Sequence, residues 1–379
     1  MERIQIGVLG AGMVGAAMAL DLAKDYNVIS FDRDLKRLDE IAKRNKEITT
    51  RQVDLTDYNS YSTWFGELDL LVIAVPGFMG YKVLEAAIAC GKPIADISFF
   101  PEDARGLDQL AREKGITVVT DMGVAPGMGN LILGREDADM EVKAFECYVG
   151  GLPKLRRKPF EYKAPFSPID VLEEYTRPAR MKENGRVVVR KALSEIELME
   201  FDRIGTLEAF NTDGLRSLLY SMPHIPDLKE KTLRYPGHAS LILSLQQAGF
   251  FSNEPLGGSG LTRLQATAAI LLNDWKLGEA EEEFTIMQVL VKGIRDNKEI
   301  TVQYDLYDEY DHATQTSSMA RTTGYTCTAA ASLLIRKQLT VPGIMAPEQI
   351  GKDAAWFNFI LQHLKDRAVN WRRKETEGY

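Results

Sequence analysis

Gly10-Ala11-Gly12-Met13-Val14-Gly15 places three glycines at the spacing G-x-G-x-x-G. The run follows a short apolar stretch, Ile4 to Leu9, and leads into Ala16, Ala17, Met18, Leu20 and Leu22, which suit a helix. In that setting Gly10 permits a tight turn and Gly12 lets the backbone approach a pyrophosphate. Gly15 lets the helix pack closely on a sheet, and Met13 and Val14 lie at the helix N-terminus, whose N–H groups favour an anion. A second apolar run, Asn27 to Phe31, ends in Asp32, where a carboxylate accepts hydrogen bonds from the 2′- and 3′-hydroxyls of an adenine ribose. Asp32 repels a 2′-phosphate, so NAD is the expected cofactor, while Arg33 beside it accommodates that phosphate and keeps NADP open. Two further strand ends fall where such folds place ligands. Asp54 could meet the adenine, and Val75 with Pro76 could pass the nicotinamide-side ribose; ordinary turn chemistry explains each equally well.

These residues need a scaffold of alternating strands and helices. After Ile4–Leu9 and Asn27–Phe31, strands are read at 48–53, 69–75, 93–97 and 116–120, with helices between them. That rhythm predicts an α/β fold with a Rossmann-like, doubly wound parallel sheet over residues 1–125. Asp121 to Asn130, with three glycines and a proline, reads as a loop opening a helix. Beyond it, strands at 144–149, 187–189, 286–292 and 300–307, the last two joined through Asp296-Asn297-Lys298, predict a mostly antiparallel sheet with helices on one side. This is an α+β substrate and oligomerisation domain over residues 126–324. Thr328–Arg336 and Trp356–Leu364 have helical composition, and residues 325–379 are expected to return to the first domain, with a polar, frayed end from Arg372.

Composition narrows the partners. In 379 residues, 46 Lys plus Arg against 54 Asp plus Glu leave a net charge of −8, which argues against nucleic acid and anionic membranes. The longest apolar runs are too short to span a bilayer. The apolar stretch after Arg3 is interrupted by glycines and reads as a phosphate loop, not a secretory signal. Three widely spaced cysteines, Cys90, Cys147 and Cys327, without a CxxC pair fit a reducing, cytoplasmic compartment; no metal-ligand spacing is visible.

Six further blocks follow in order: DMGVAPGMGN (121–130), YVGGLP (148–153), FEYKAPFSP (160–168), EAFNTDG (208–214), TLRYPGH (232–238) and MARTTGY (319–325). With the glycine fingerprint, they resemble the saccharopine dehydrogenase-like family. The resemblance implies a dinucleotide domain joined to a substrate domain, amine-oxidising or imine-reducing chemistry on an amino acid, and a homodimer or higher homo-oligomer. The family activity that the blocks most resemble is lysine 6-dehydrogenation. There a hydride leaves the ε-carbon of L-lysine for NAD, and the imine hydrolyses to the 6-semialdehyde. The alternatives are a saccharopine dehydrogenase or reductase, whose substrate carries more carboxylates, and a non-catalytic NAD-binding regulator.

Oxidation at a carbon bearing an ammonium requires the loss of a proton first, so a general base is expected, together with a cation for the α-carboxylate. His238 is the candidate base or proton relay because imidazole changes charge near neutrality; a hydrogen-bonded structural histidine is its alternative. Asp121 could hold the substrate amine or serve as a loop carboxylate. Arg234 could grip a carboxylate or bridge in an ion pair. Lys163 and Tyr162 could line the site through the matched block, and Asn211 and Thr212 are weaker candidates. Arg156, Arg157 and Lys158 form a basic cluster that could anchor extra carboxylates or face solvent.

Overall fold

The computed structural model describes residues 3–164, 168–278 and 281–378. Residues 165–167 of the FEYKAPFSP block lie outside that set. The chain forms two compact units, Met1–Ala138 with Met319–Asn370, and Asp139–Ser318 with Trp371–Tyr379.

In the first unit, β1 (Gln5–Leu9), β2 (Asn27–Asp32), β3 (Thr49–Gln52), β4 (Leu70–Ile73), β5 (Ile94–Asp96) and β6 (Thr117–Val119) pair in parallel. Their order is β3-β2-β1-β4-β5-β6, and a seventh strand, Gly343–Met345, adds to β6. Leu70–Ile73 is buried throughout, as expected of a parallel strand covered on both faces. The chain winds outward in opposite directions from β1 and β4. The carboxyl ends of this adjacent pair form the switch point at which open α/β sheets bind ligands.

The first unit is built of two stretches of chain, the second a C-terminal return as expected, but its bounds differ from those read in the sequence. Residues 126–138 belong to it and not to the substrate domain, so the boundary lies at 138/139 instead of 125/126. The reason is a close helix crossing. Helix Met128–Asp137 meets the short helix Pro347–Gly351, where a Cβ on Gly134 would fall 2.0 Å from the Glu348 carbonyl oxygen and one on Gly351 2.1 Å from that of Leu131. Helices Ser318–Ile335 and Ala354–Lys365 lie almost wholly in the same unit.

The second unit holds β7 (Glu141–Pro153), β8 (Ala179–Glu183), β9 (Arg186–Arg190), β10 (Glu197–Phe201), β11 (Gly205–Asn211), β12 (Asp227–Arg234), β13 (Glu283–Arg295) and β14 (Lys298–Glu309). The order is β10-β11-β12-β7-β13-β14, extended by Trp371–Glu377 beside β14, while β8 pairs with β12 and β9 with β8. Among the described pairings of this sheet, only β12 with β7 is parallel. Asp296 and Asn297 turn β13 into β14 with φ of 53° and 62°, the left-handed pair that a two-residue hairpin favours.

The terminal segment is a strand, not a frayed tail, and it pairs in the second unit. Its pairing with β14 is a backbone ladder that needs no apolar face. Lys298–Glu377 at 2.7 Å and an ion pair of Arg295 with Glu375 link its side chains across the sheet.

Candidate functional site

The glycine loop lies at the switch point of the first unit. Gly10 has φ of 104°, and a Cβ there would approach the Ala74 carbonyl oxygen at 2.4 Å. A Cβ on Gly15 would fall 2.0 Å from the Gly10 carbonyl oxygen, so the helix can dock on the loop only through a glycine. Gly12 differs. Its backbone is extended, at φ −67° and ψ −177°, and its missing Cβ faces open space with only an Arg37 Nη1 atom 3.8 Å away. Helix Met13–Leu22 therefore starts without a capping side chain and with room before its first-turn N–H groups, of which Met13 is exposed and Val14 half-buried. The residues present fit a dinucleotide pyrophosphate.

Asp32 ends β2, and its carboxylate accepts from Ala11 N at 2.6 Å and Asp34 N at 2.9 Å, so it braces the glycine loop while retaining further lone pairs. Arg33 is exposed beside it. Arg37, not identified from the sequence, pairs with Asp34 at 3.3 Å and reaches toward Gly12 from helix Leu35–Arg44. Asp54 is exposed and accepts from the backbone N and hydroxyl of Thr56, which hold its carboxyl below the ordinary range. Val75 is buried and Pro76 exposed just after β4, where Pro76 precedes helix Gly77–Ala89. Asp121 is buried after β6 with φ of 54°. It belongs to this unit, whereas the other substrate candidates belong to the second.

In the second unit the TLRYPGH block joins the end of β12 to helix His238–Gln247. Arg234 is 3% exposed, and its guanidinium stacks 4.4 Å above the Tyr162 ring. Its Nε donates to Tyr175 Oη at 3.1 Å, Nη1 to the Leu233 carbonyl at 2.9 Å, and Nη2 to Tyr162 Oη and Glu174 Oε2, each at 3.4 Å. Glu208, its cross-strand neighbour on β11, directs both oxygens to the helix start, accepting from Gly237 N at 2.8 Å and Ala239 N at 2.6 Å. Burial acts against the Arg234 charge, but Tyr162, Tyr175 and Glu174 more than offset it and raise its pKa.

His238 is buried against the same aromatic residues. Nδ1 lies 3.0 Å from the Phe160 carbonyl, which can only accept, so Nδ1 carries the hydrogen. Nε2 is left to accept from Tyr175 Oη at 2.9 Å. Burial and the nearby Arg234 charge, opposed by the Phe160 bond, push its pKa down to about 3. Near neutrality it is an uncharged acceptor, unlike the titrating imidazole its residue type indicates. Tyr175, missed in the sequence, is the hub: it donates to His238 and accepts from Arg234, and burial raises its pKa to about 12. Its signal was faint, a tyrosine within VLEEYTRP with no motif around it.

The other candidates lie apart from this cluster or are already engaged. Lys163 donates to the Asp274 carbonyl. Asn211 donates to Ser194 Oγ at 3.1 Å and Glu195 Oε2 at 3.0 Å. The Thr212 hydroxyl donates to Glu230 Oε2 at 2.8 Å and meets Thr232 Oγ1 at 2.8 Å. Of the basic cluster, Arg156 and Lys158 pair with Glu161 at 2.6 and 2.9 Å, and Arg157 is exposed. Among the described residues, no group of three or more His, Cys, Asp or Glu could hold a metal, and no helix is long and apolar enough to cross a membrane.

Residues 6–119 match the family model described as the saccharopine dehydrogenase NADP binding domain, and residues 123–369 match the saccharopine dehydrogenase C-terminal domain. The chain belongs to the saccharopine dehydrogenase family. Residues 6–119 of its first unit accordingly form the family's NADP binding domain. Among curated relatives, an alpha-aminoadipic semialdehyde synthase of Arabidopsis thaliana is 24% identical over 245 residues, 61% of this chain and 23% of that protein. The NADP(+), L-glutamate-forming saccharopine dehydrogenase of Saccharomyces cerevisiae is 26% identical over 266 residues, 65% of this chain and 58% of that protein. The alignments thus span about a quarter of the length of the first curated relatives and under two thirds of the fungal dehydrogenases. The fold is shared with the apo L-Glu-forming saccharopine dehydrogenase of Saccharomyces cerevisiae at a TM-score of 0.80 and 20% identity, covering 98% of this chain and 100% of that one. Homospermidine synthase of Legionella pneumophila, solved with NAD, matches at a TM-score of 0.68 and 13% identity, covering 99% of this chain and 92% of that one.

Proposed function

We propose that the chain is a nicotinamide-dependent oxidoreductase acting on the C–N bond of a carboxylate-bearing amine, with saccharopine as the substrate. The supporting observation is Arg234, a buried, permanently charged fork among neutral phenols, contributed by a chain of this family. The names of the matched relatives favour this reading over the ε-deamination of L-lysine drawn from the sequence. In the oxidative direction the secondary amine gives up a hydride to the dinucleotide and a proton to solvent. Water then adds to the imine, releasing glutamate and the aminoadipic semialdehyde; reduction runs the same steps backwards.

The dinucleotide supplies the hydride acceptor, and the glycine loop from Gly10 to Gly15 with Asp32 would hold it. Arg33 and Arg37 support NADP, whereas the Asp32 carboxylate supports NAD. Arg234 would take one substrate carboxylate on its Nη edge. Tyr175 holds the guanidinium from behind through Nε, and His238 fixes the direction of the Tyr175 hydroxyl, which makes His238 a positioning residue in this reading. The expected assembly is a homo-oligomer.

The test is nicotinamide reduction by the purified chain with saccharopine, L-lysine or neither, with NAD and NADP run separately. Turnover with saccharopine, and a KM raised on the order of 100-fold by Arg234→Ala, supports the proposal. Turnover with lysine alone would return the assignment to ε-deamination, and dinucleotide binding without turnover on either amine would favour a regulator.

A further inference from the structure

Oxidation at a C–N bond needs a group to take the ammonium proton, since an amine with the ordinary pKa of about 10 stays charged at neutrality. His238 does not meet that need, because it is neutral and its Nε2 lone pair is taken up by Tyr175. Strand β12 carries another group. Side chains alternate along a strand, so Glu230, Thr232 and Arg234 share one face. Lys229 and Lys231 lie on the opposite face and pair with Glu146 and Glu197 at 3.3 and 2.9 Å. Glu230 is 6% exposed. Both bonds it accepts fall on Oε2, from Thr212 Oγ1 at 2.8 Å and Gly214 N at 3.1 Å, which leaves Oε1 for a proton. The same Thr212 hydroxyl meets Thr232 Oγ1 at 2.8 Å, so a line of hydroxyls joins Glu230 to the face position next to Arg234.

We propose that Glu230 is the acid–base group of the amine chemistry, an inference that rests on the reading of the chain as an enzyme of the C–N bond. In oxidation one proton passes from the substrate ammonium to the Glu230 carboxylate, leaving the nitrogen its lone pair, and Glu230 then gives that proton to water. In reduction it returns a proton to the newly formed amine. The surrounding charges favour this role. Asp213 is held by Arg180 at 2.9 and 2.8 Å and Glu174 meets Arg234 at 3.4 Å, whereas Glu230 has no cationic partner among the described residues. Cys147, its register partner on β7, is buried, and burial with Glu230 pushes its thiol up, so it stays protonated. Burial raises Glu230 to about 8, opposed by the Thr212 and Gly214 bonds and reinforced by Glu174 and Asp213. A carboxyl poised there can return a proton near neutrality and take one in mildly alkaline solution. A substrate ammonium supplies the counter-charge that the protein does not. Glu174 contacts Arg234 and also acts on the ionisation of Glu230, which sets the carboxylate seat and the proton acceptor around one substrate.

The test measures saccharopine oxidation from pH 6 to pH 10 by full-length wild type, Glu230→Gln and Glu230→Asp, with glutarate binding followed by calorimetry as an amine-free probe. In the wild type kcat/KM should rise about tenfold per pH unit and level off near pH 8. Glu230→Gln should lower kcat/KM on the order of 100-fold or more and lose that limb, while glutarate affinity stays within about twofold. Glu230→Asp keeps an ionisable group and should keep the limb with a lower plateau. Infrared difference spectra between pH 6 and pH 10 should show one buried carboxylic-acid band that is absent from Glu230→Gln. A limb near pH 8 that survives in Glu230→Gln overturns the proposal. So does a loss of rate matched by an equal loss of glutarate affinity, the mark of a merely structural residue. Should Glu230→Gln fail to fold, loss of the limb in Glu230→Asp has the same force against it. If the wild type oxidises neither saccharopine nor lysine, the reading as a C–N enzyme fails, and this inference with it.

Discussion

His238 illustrates how an environment can reverse a residue's chemistry. Its residue type marks it as a titrating base, but burial and Arg234 leave it neutral, and the Phe160 carbonyl, by taking the Nδ1 hydrogen, leaves the Nε2 lone pair directed at Tyr175. A pH–rate profile is therefore expected to show no limb between pH 6 and 7 that disappears in His238→Gln. The variant should instead raise KM about tenfold by loosening Tyr175, because glutamine cannot bond the Phe160 carbonyl and Tyr175 with the imidazole's geometry. Loss of a limb near neutrality in His238→Gln would restore the general-base role.

Glu230 on β12 makes a second prediction at the same scale. Burial raises its pKa to about 8 against the bonds it accepts from Thr212 and Gly214 N, with Glu174 and Asp213 adding to the rise. The native state keeps a proton that the unfolded chain loses above its ordinary value near 4.5, so this group's contribution is complete below that pH. It declines as pH rises toward about 8, by on the order of 3–5 kcal/mol in all. Chemical denaturation at pH 5 and pH 9 should show wild type and Glu230→Gln nearly equal at the lower pH and the variant more stable at the higher one. Glutamine can accept the same two bonds without ionising.

At the scale of elements, the glycine loop was legible because each glycine answers a separate steric demand within six residues. Those demands also predict different failures. Gly12→Ala introduces a methyl into open space on a backbone any residue adopts, so the melting temperature should stay within about 3 °C of wild type while dinucleotide affinity falls at least tenfold. Gly15→Ala drives a methyl into the Gly10 carbonyl, and destabilisation of about 3 kcal/mol should accompany any loss of binding. Equal melting losses in the two variants would show that Gly12 is a packing residue.

No strand is read from the sequence at β8, β10, β11 or β12, and two further elements that escaped it share another property. Trp371–Glu377 and Gly343–Met345 have little apolar periodicity because one is an exposed edge joined by backbone bonds and ion pairs, and the other is three residues long. Likewise Arg234 and His238 could be singled out by type and block, but their shared dependence on Tyr175 could not. It arises where strand β12 meets a helix about 60 residues earlier in the chain.

For the whole molecule, the chain passes between units three times, at 138/139, 318/319 and 370/371, so neither unit is complete until the C-terminal third is made. Within the first unit, that return is fastened by one buried carboxylate. Asp21, on the helix that follows the glycine loop, accepts from Arg367 Nε at 2.7 Å on both oxygens and from Thr328 Oγ1 at 2.7 Å, with His363 Nε2 at 3.6 Å. Burial would raise its pKa, but His363 and Arg367 overcome this and hold it well below the ordinary carboxylate value. Its contribution is thus fully present above pH 4 and is lost only as pH falls through the depressed pKa. Asp21→Asn leaves Arg367, 14% exposed, without its anion, and should cost roughly 3–5 kcal/mol at neutral pH, or on the order of 10 °C in melting temperature. Because Asp21 lies on the helix that begins at the phosphate loop, the loss should be partly recovered by saturating dinucleotide, which binds only the folded unit. A thermal scan at pH 7 with and without NADP tests both parts. A loss below about 1 kcal/mol would mean that the apolar contacts of the returning helices, not this ion cluster, hold the C-terminal third in place.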